Sequence, residues 1–236
     1  MVVTSLPKSV RGVLRLASLD GRSLLRTGQE LADLLGSKVK VAVGSPAAID
    51  RDETAGGLAG EATAELRMVD ATGRSWRPLA QTIVCSPNAD SLDGLPCVAE
   101  SRVPAALCSN TGSTALALGK WMVVVTPAGL WIGPRDSEPP IVAMRRQPSP
   151  EKIDVDIEVP QLALDDSLWP SLDILFGQME PEVRERIVIH ISGAPDVQVW
   201  ERLLEAAVHH GLRSVEPRGF AVRLATRHGA SKHHDT

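Results

Sequence analysis

Apolar and polar positions switch period several times along the chain, and each switch marks an element. Val13 to Ser18 reads as a strand. Thr27-Gly28-Gln29-Glu30 has the form of a capping box ahead of Leu31, Leu34 and Leu35, and Gly36 supplies the stop. Lys38 to Val43 alternates strictly and reads as a second strand, so this region predicts a βαβ unit. Ala64 to Val69 and Arg74 to Arg77, separated by Asp70-Ala71-Thr72-Gly73, predict a hairpin, and Gln81 to Cys85 a further short strand. Trp121 to Thr126 and Leu130 to Ile132 flank Pro127-Ala128-Gly129 and predict a second hairpin. Between the two, residues 86–119 are rich in Ser, Asn, Gly and Ala and read as a long excursion.

Five prolines between 134 and 150 exclude helix interiors and central strands, so a linker is expected there. It divides the chain into a mixed α/β domain with β-hairpins over 1–133 and an α/β domain over 151–228, with a disordered tail over 229–236. In the second part Ile153, Val155, Ile157 and Val159 alternate with Asp154, Asp156 and Glu158, which predicts a half-buried strand with an acidic outer face. Asp165-Asp166-Ser167 offers N-capping oxygens to a helix whose apolar positions are Leu168, Leu172, Leu175 and Phe176, closed by Gly177. Arg186 to Ser192 reads as a strand buried on both faces. Pro195 and Asp196 suit a first helical turn. Trp200, Leu203, Leu204, Ala207 and Val208 form the expected inward stripe before Gly211, and Phe220 to Leu224 the last strand. The fold class is therefore α/β with α+β character: an N-terminal βαβ unit plus β-hairpins, then a C-terminal β-α-β-α-β layer.

Composition narrows the function. With 43% hydrophobic and 23% charged residues the chain is an ordinary globular protein. A net charge of −4 and a pI near 5.9 argue against bulk phosphate neutralisation, and the absence of Tyr with only two Phe removes a base-stacking platform. We expect no nucleic acid. No apolar run approaches the roughly 18 residues of a spanning helix, and the first residues lack a signal-peptide pattern. A soluble, cytoplasmic protein without membrane contact is expected. An excess of Arg over Lys among the 25 basic residues, with abundant Ala, Val, Leu and Gly, suggests a GC-rich, bacterial genome. Cys85, Cys97 and Cys108 lack zinc-ligand spacing, so no metal and no cofactor are expected.

Few residues offer chemistry. Ser192 and Gly193 end a strand and precede a helix, where backbone N–H groups hold anions, although Pro195 removes a donor and Asp196 brings negative charge. His190 on the same strand is a candidate general base without an acid at fixed spacing to orient it. Cys85 ends a strand and is a candidate nucleophile, but the first half of the chain has no histidine, so a dyad must borrow His190. His209 and His210 suit the dipole of a helix end, and His228, His233 and His234 belong to the tail. From Glu151 to Glu182 nine acids stand against Lys152 alone, a complementary surface for a partner or a solvated face.

The stretches Val13 to Gly21, Gln29-Glu30-Leu31-Ala32-Asp33-Leu34-Leu35 and Val39 to Pro46 resemble the second half of caspase-like, self-processing cysteine peptidase modules of very large toxin-type proteins from GC-rich bacteria. The resemblance covers about residues 10–50. The position that holds the nucleophilic Cys in that family falls near Leu19-Asp20, and the upstream strand with the catalytic His has no counterpart before Val13. It implies a degenerate, non-proteolytic copy. The expectation is thus a non-catalytic protein–protein assembly module with a protein partner or self-association. The alternative is a small hydrolase using Cys85 with His190, or an anion-binding enzyme at 192–196.

Overall fold

The computed structural model describes residues 14–19, 23–47, 65–88, 95–102, 115–158, 168–193 and 195–218. β1 (Arg15–Leu16) and β2 (Val39–Ala42) pair in parallel across α1 (Leu25–Leu35), which gives the expected βαβ unit. The helix starts two residues before Thr27, so the presumed capping box lies inside it, and Leu24 is the N-cap without a side-chain cap bond. Gly28 serves packing instead, because a Cβ there would collide with Val41 and stand 3.2 Å from Cys85 Sγ. Gly36 closes the helix at φ 58°, as its sequence position suggests.

β3 (Ser45–Ala47), β4 (Glu65–Val69) and β5 (Ser75–Trp76) form a three-stranded sheet, with the β4–β5 hairpin turning at the expected residues. β6 (Ala80–Cys85) joins β2 to β7 (Cys97–Ser101) in a four-stranded sheet of order β1-β2-β6-β7. The stretch 86–119 is therefore not one excursion. It supplies β7 to this sheet and β8 (Ala115–Leu118) to the next.

Among the described residues the largest sheet has six strands, in the order β13-β12-β11-β10-β9-β8. β9 (Trp121–Thr126) and β10 (Gly129–Pro134) make the second hairpin; β10, β11 (Ile153–Glu158), β12 (Ile187–Ser192) and β13 (Ser214–Arg218) are parallel neighbours. The linker expected over 134–150 thus falls between two adjacent strands of one sheet. Its prolines and α2 (Ile141–Met144) form a crossover, and a Cβ on Gly129 would strike the Asp154 carbonyl of the neighbouring strand. Among the described residues the last strand lies at 214–218; the one expected at 220–224 and the tail at 229–236 lie outside them.

Alternation assigns the two faces of this sheet. Leu130, Ile132, Ile153, Val155, Ile157, Ile187, Ile189 and Ile191 form one face, buried in a single cluster with Leu168, Leu172, Leu175 and Phe176 of α3 (Leu168–Gly177) and Val199 and Leu203 of α5 (Val197–His210). α4 (Pro181–Arg184) leads into β12 and buries Val183. The inward stripe of α5 is Val199, Leu203, Ala207 and His210, one residue out of phase with part of the expected stripe: Leu204 and Val208 are 41% and 83% exposed. The N-terminal sheets are tied to this layer by a buried lock. Asp70 pairs with Arg186, and Trp76 Nε1 donates to the Pro150 carbonyl at 2.9 Å. Thr72 hydroxyl and amide and the Arg74 amide also donate to Asp70. The Thr72 hydrogen bond is the largest influence on this carboxyl, and against the opposing effect of burial these donors hold it well below the usual range. Among the described residues no helix is long and apolar enough to cross a membrane.

Candidate functional site

The opposite face of β11, β12 and β13 carries charged and polar groups around the buried Val188. Register puts Asp156, His190 and Glu216 side by side, with Asp154 one step below Asp156 and Arg218 one step above Glu216. The acidic side of β11, expected to face water, is buried: Asp154 is 2% and Asp156 4% exposed. The reason lies in the crossover. Arg146 and Lys152, which flank the end of the 134–150 segment, reach over the sheet and neutralise the acids. Lys152 Nζ stands 3.0 Å from Asp154 Oδ1, and Arg146 Nη1 3.4 Å from Asp154 Oδ2 and 2.9 Å from Asp156 Oδ2. The last contact is too skewed for a hydrogen bond, and Arg146 Nη2 donates to Asp156 Oδ1 at 3.4 Å instead. Arg218 Nη1 completes the Asp156 shell.

His190 is buried and placed 2.6 Å from Asp154 Oδ1 through Nε2, while Nδ1 stands 3.7 Å from Glu216 Oε2. Burial, the largest influence, raises the Asp154 carboxyl. The hydrogen bonds from His190 and Lys152 and the charge of Arg146 outweigh it and hold the group well below the usual carboxylate range. An ionised Asp154 only accepts, so Nε2 is the donor of this pair. Sequence spacing offered no acid to orient His190; the structure supplies one from the neighbouring strand. Three carboxylates, Asp154, Asp156 and Glu216, face three permanent cations, Arg146, Lys152 and Arg218. These six charges cancel among themselves. Its chemistry is that of an ionic clamp holding the crossover onto the sheet.

The other candidates lie apart from this cluster. Cys85 ends β6 in the four-stranded sheet, fully buried beneath α1, with Sγ 3.8 Å from the Leu25 carbonyl. Burial chiefly, with the charges of Cys97 and Asp33, pushes its thiol up to about 12, the reverse of what a nucleophile requires. Ser192 ends β12 and Gly193 takes φ 110°, but Asp196 caps α5 by accepting from the Val199 amide at 2.8 Å. A carboxylate of the chain itself occupies the place an anion would take. His210 packs inward, 3.0 Å from Asp173 Oδ1 and 5.8 Å from the Phe176 ring. His209 is exposed and lines a shallow groove of about 420 Å³ between α3 and α5, where Arg202 stacks 5.5 Å from the Trp169 ring centroid. Cys108, Asp20, the capping stretch Asp165-Asp166-Ser167 and the tail histidines lie outside the described residues.

No family model, curated protein or solved structure matches the chain.

Proposed function

We propose that the chain is a non-catalytic assembly module that works by binding protein. The observation that carries this reading is on α5: Val197, Leu204 and Val208 are 72%, 41% and 83% exposed and share one stripe of the helix. Singly, exposed aliphatics are ordinary; aligned beside an edge strand, they favour a contact surface. The internal balance of the His190 cluster and the sealed Cys85 thiol point the same way, because the groups best suited to acid–base or nucleophilic work are consumed by packing. No observation favours a hydrolase of Cys85 with His190.

The test is the native size of the chain in an extract of the cells that make it. The wild-type chain is expected to migrate well above 25.2 kDa, and Val208→Glu to fall toward that mass. Migration of the wild type as a species of 25.2 kDa overturns the reading.

A further inference from the structure

We infer that the partner is a second copy of this chain, joined through the β13 edge with α5 packing on α5. The inference rests on the assembly reading and names its occupant.

Three observations converge. The first is charge. Among the described residues β13 is the edge of the six-stranded sheet; Arg218 holds Asp156 through Nη1 and Glu216 Oε2 stands 3.7 Å from His190, and with side chains 34% and 53% exposed both keep surface on one face for a second partner. Antiparallel pairing of β13 with its copy must keep like faces together, so the two-fold axis passes through a residue. An axis at Glu216 sets Glu216 against itself, which repels. An axis at Pro217 sets Glu216 against Arg218 twice. Arg213 N–H donates to the Ile187 carbonyl, so the odd-numbered positions of β13 turn their backbone groups to β12, and Pro217 on the axis withdraws no N–H from the new ladder.

The second is the direction of the apolar stripe. At about 100° per residue, Val197, Leu204 and Val208 lie within about 40° of one another and about 125° round α5 from its buried positions. Arg202, Ala206 and His209 lie on the opposite flank, against α3. The stripe therefore looks away from α3, toward the β13 edge. α5 joins β12 to β13 and packs over them, so pairing β13 with its copy places the two α5 axes roughly 10 Å apart, near the usual helix packing distance.

The third is level. Pro217 lies about 10 Å along β13 from Ser214. α5 ends at His210, three intervening residues before Ser214; with those two ends taken as level, running back about the same distance along α5 reaches residue 203 or 204. That is the middle of the stripe, so one axis serves both contacts, with Val197 facing Val208 of the other copy. The register chosen by charge is the register that centres the apolar contact.

The experiment uses the purified full chain in sedimentation equilibrium from about 1 to 100 µM, bracketing the micromolar range of modest affinities. A dimer is expected, with its dissociation constant raised at least tenfold by Val208→Glu while circular dichroism is unchanged. In a Cys97→Ser, Cys108→Ser background, Val197→Cys with Val208→Cys is expected to give a covalent dimer on mild oxidation, and neither single cysteine to match it. A dimer indifferent to Val208→Glu, or equal cross-linking by the singles, overturns this interface. A purified monomer that is nonetheless large in cell extract overturns the second copy and leaves the assembly reading standing. A monomer in both removes the two together.

Discussion

Asp154→Asn tests whether the buried ions act as a clamp. The substitution keeps the shape of the side chain and removes its charge. His190 Nε2, at 2.6 Å, keeps an acceptor but loses an ionised one, and Lys152, 43% exposed, turns to water at little cost. Arg146 loses one of two carboxylates and retains Asp156. Removing a whole partner from a buried pair costs about 3–5 kcal/mol; with these compensations we expect about 2–3 kcal/mol. At a urea slope of order 2–3 kcal/mol/M, the midpoint moves down by about 1 M. The pH dependence has a definite sign. Asp154 is held below its unfolded value near 4, so its contribution is complete above that value and is lost as pH falls through the lower folded pKa. The gap between wild type and Asp154→Asn is therefore constant above about pH 5 and shrinks below about pH 4. A difference under about 0.5 kcal/mol, within the scatter of ordinary surface changes, or a gap that does not close in acid, refutes the clamp.

Three further outcomes follow from the packing. Phe176→Ala empties a fully buried position against His210 and is expected to cost about 3–5 kcal/mol in denaturant titration; a loss below about 1 kcal/mol contradicts the placement of α3. A thiol reagent at about pH 8 is expected to label exposed Cys97 rapidly and Cys85 only after denaturation; fast labelling of Cys85 in the native protein contradicts its raised pKa. Arg186→Met breaks the lock with Asp70 and is expected to make the β4–β5 hairpin the first site of limited proteolysis, whereas unchanged cleavage contradicts a tie between the sheets.

Local pattern revealed the elements better than their surroundings. The alternation of Ile153 to Glu158 marked the strand correctly, yet period two says only that two faces differ, not that the polar face is wet. Arg146 and Lys152 upstream and Arg218 downstream were the available signal that the acids had partners. β13 is hard to read because Ser-Val-Glu-Pro-Arg has little apolar content and a proline, which the interior of a strand rarely carries. The proline-rich stretch looked like a boundary because composition marks an irregular chain without saying where it leads. The inward face of α5 was half legible: Leu203 and Ala207 belong to it, but choosing Leu204 and Val208 concealed the exposed stripe.

The lock between Asp70 and Arg186 joins residues 116 positions apart. At a synthesis rate of about 5–20 residues per second, the β4–β5 hairpin leaves the ribosome roughly 6–23 s before its partner arginine is made. During that interval Met68 and Trp76, both buried in the finished protein, have no completed surface to cover them. The N-terminal sheets therefore wait with that apolar surface open, and the order of manufacture imposes a waiting time on the fold.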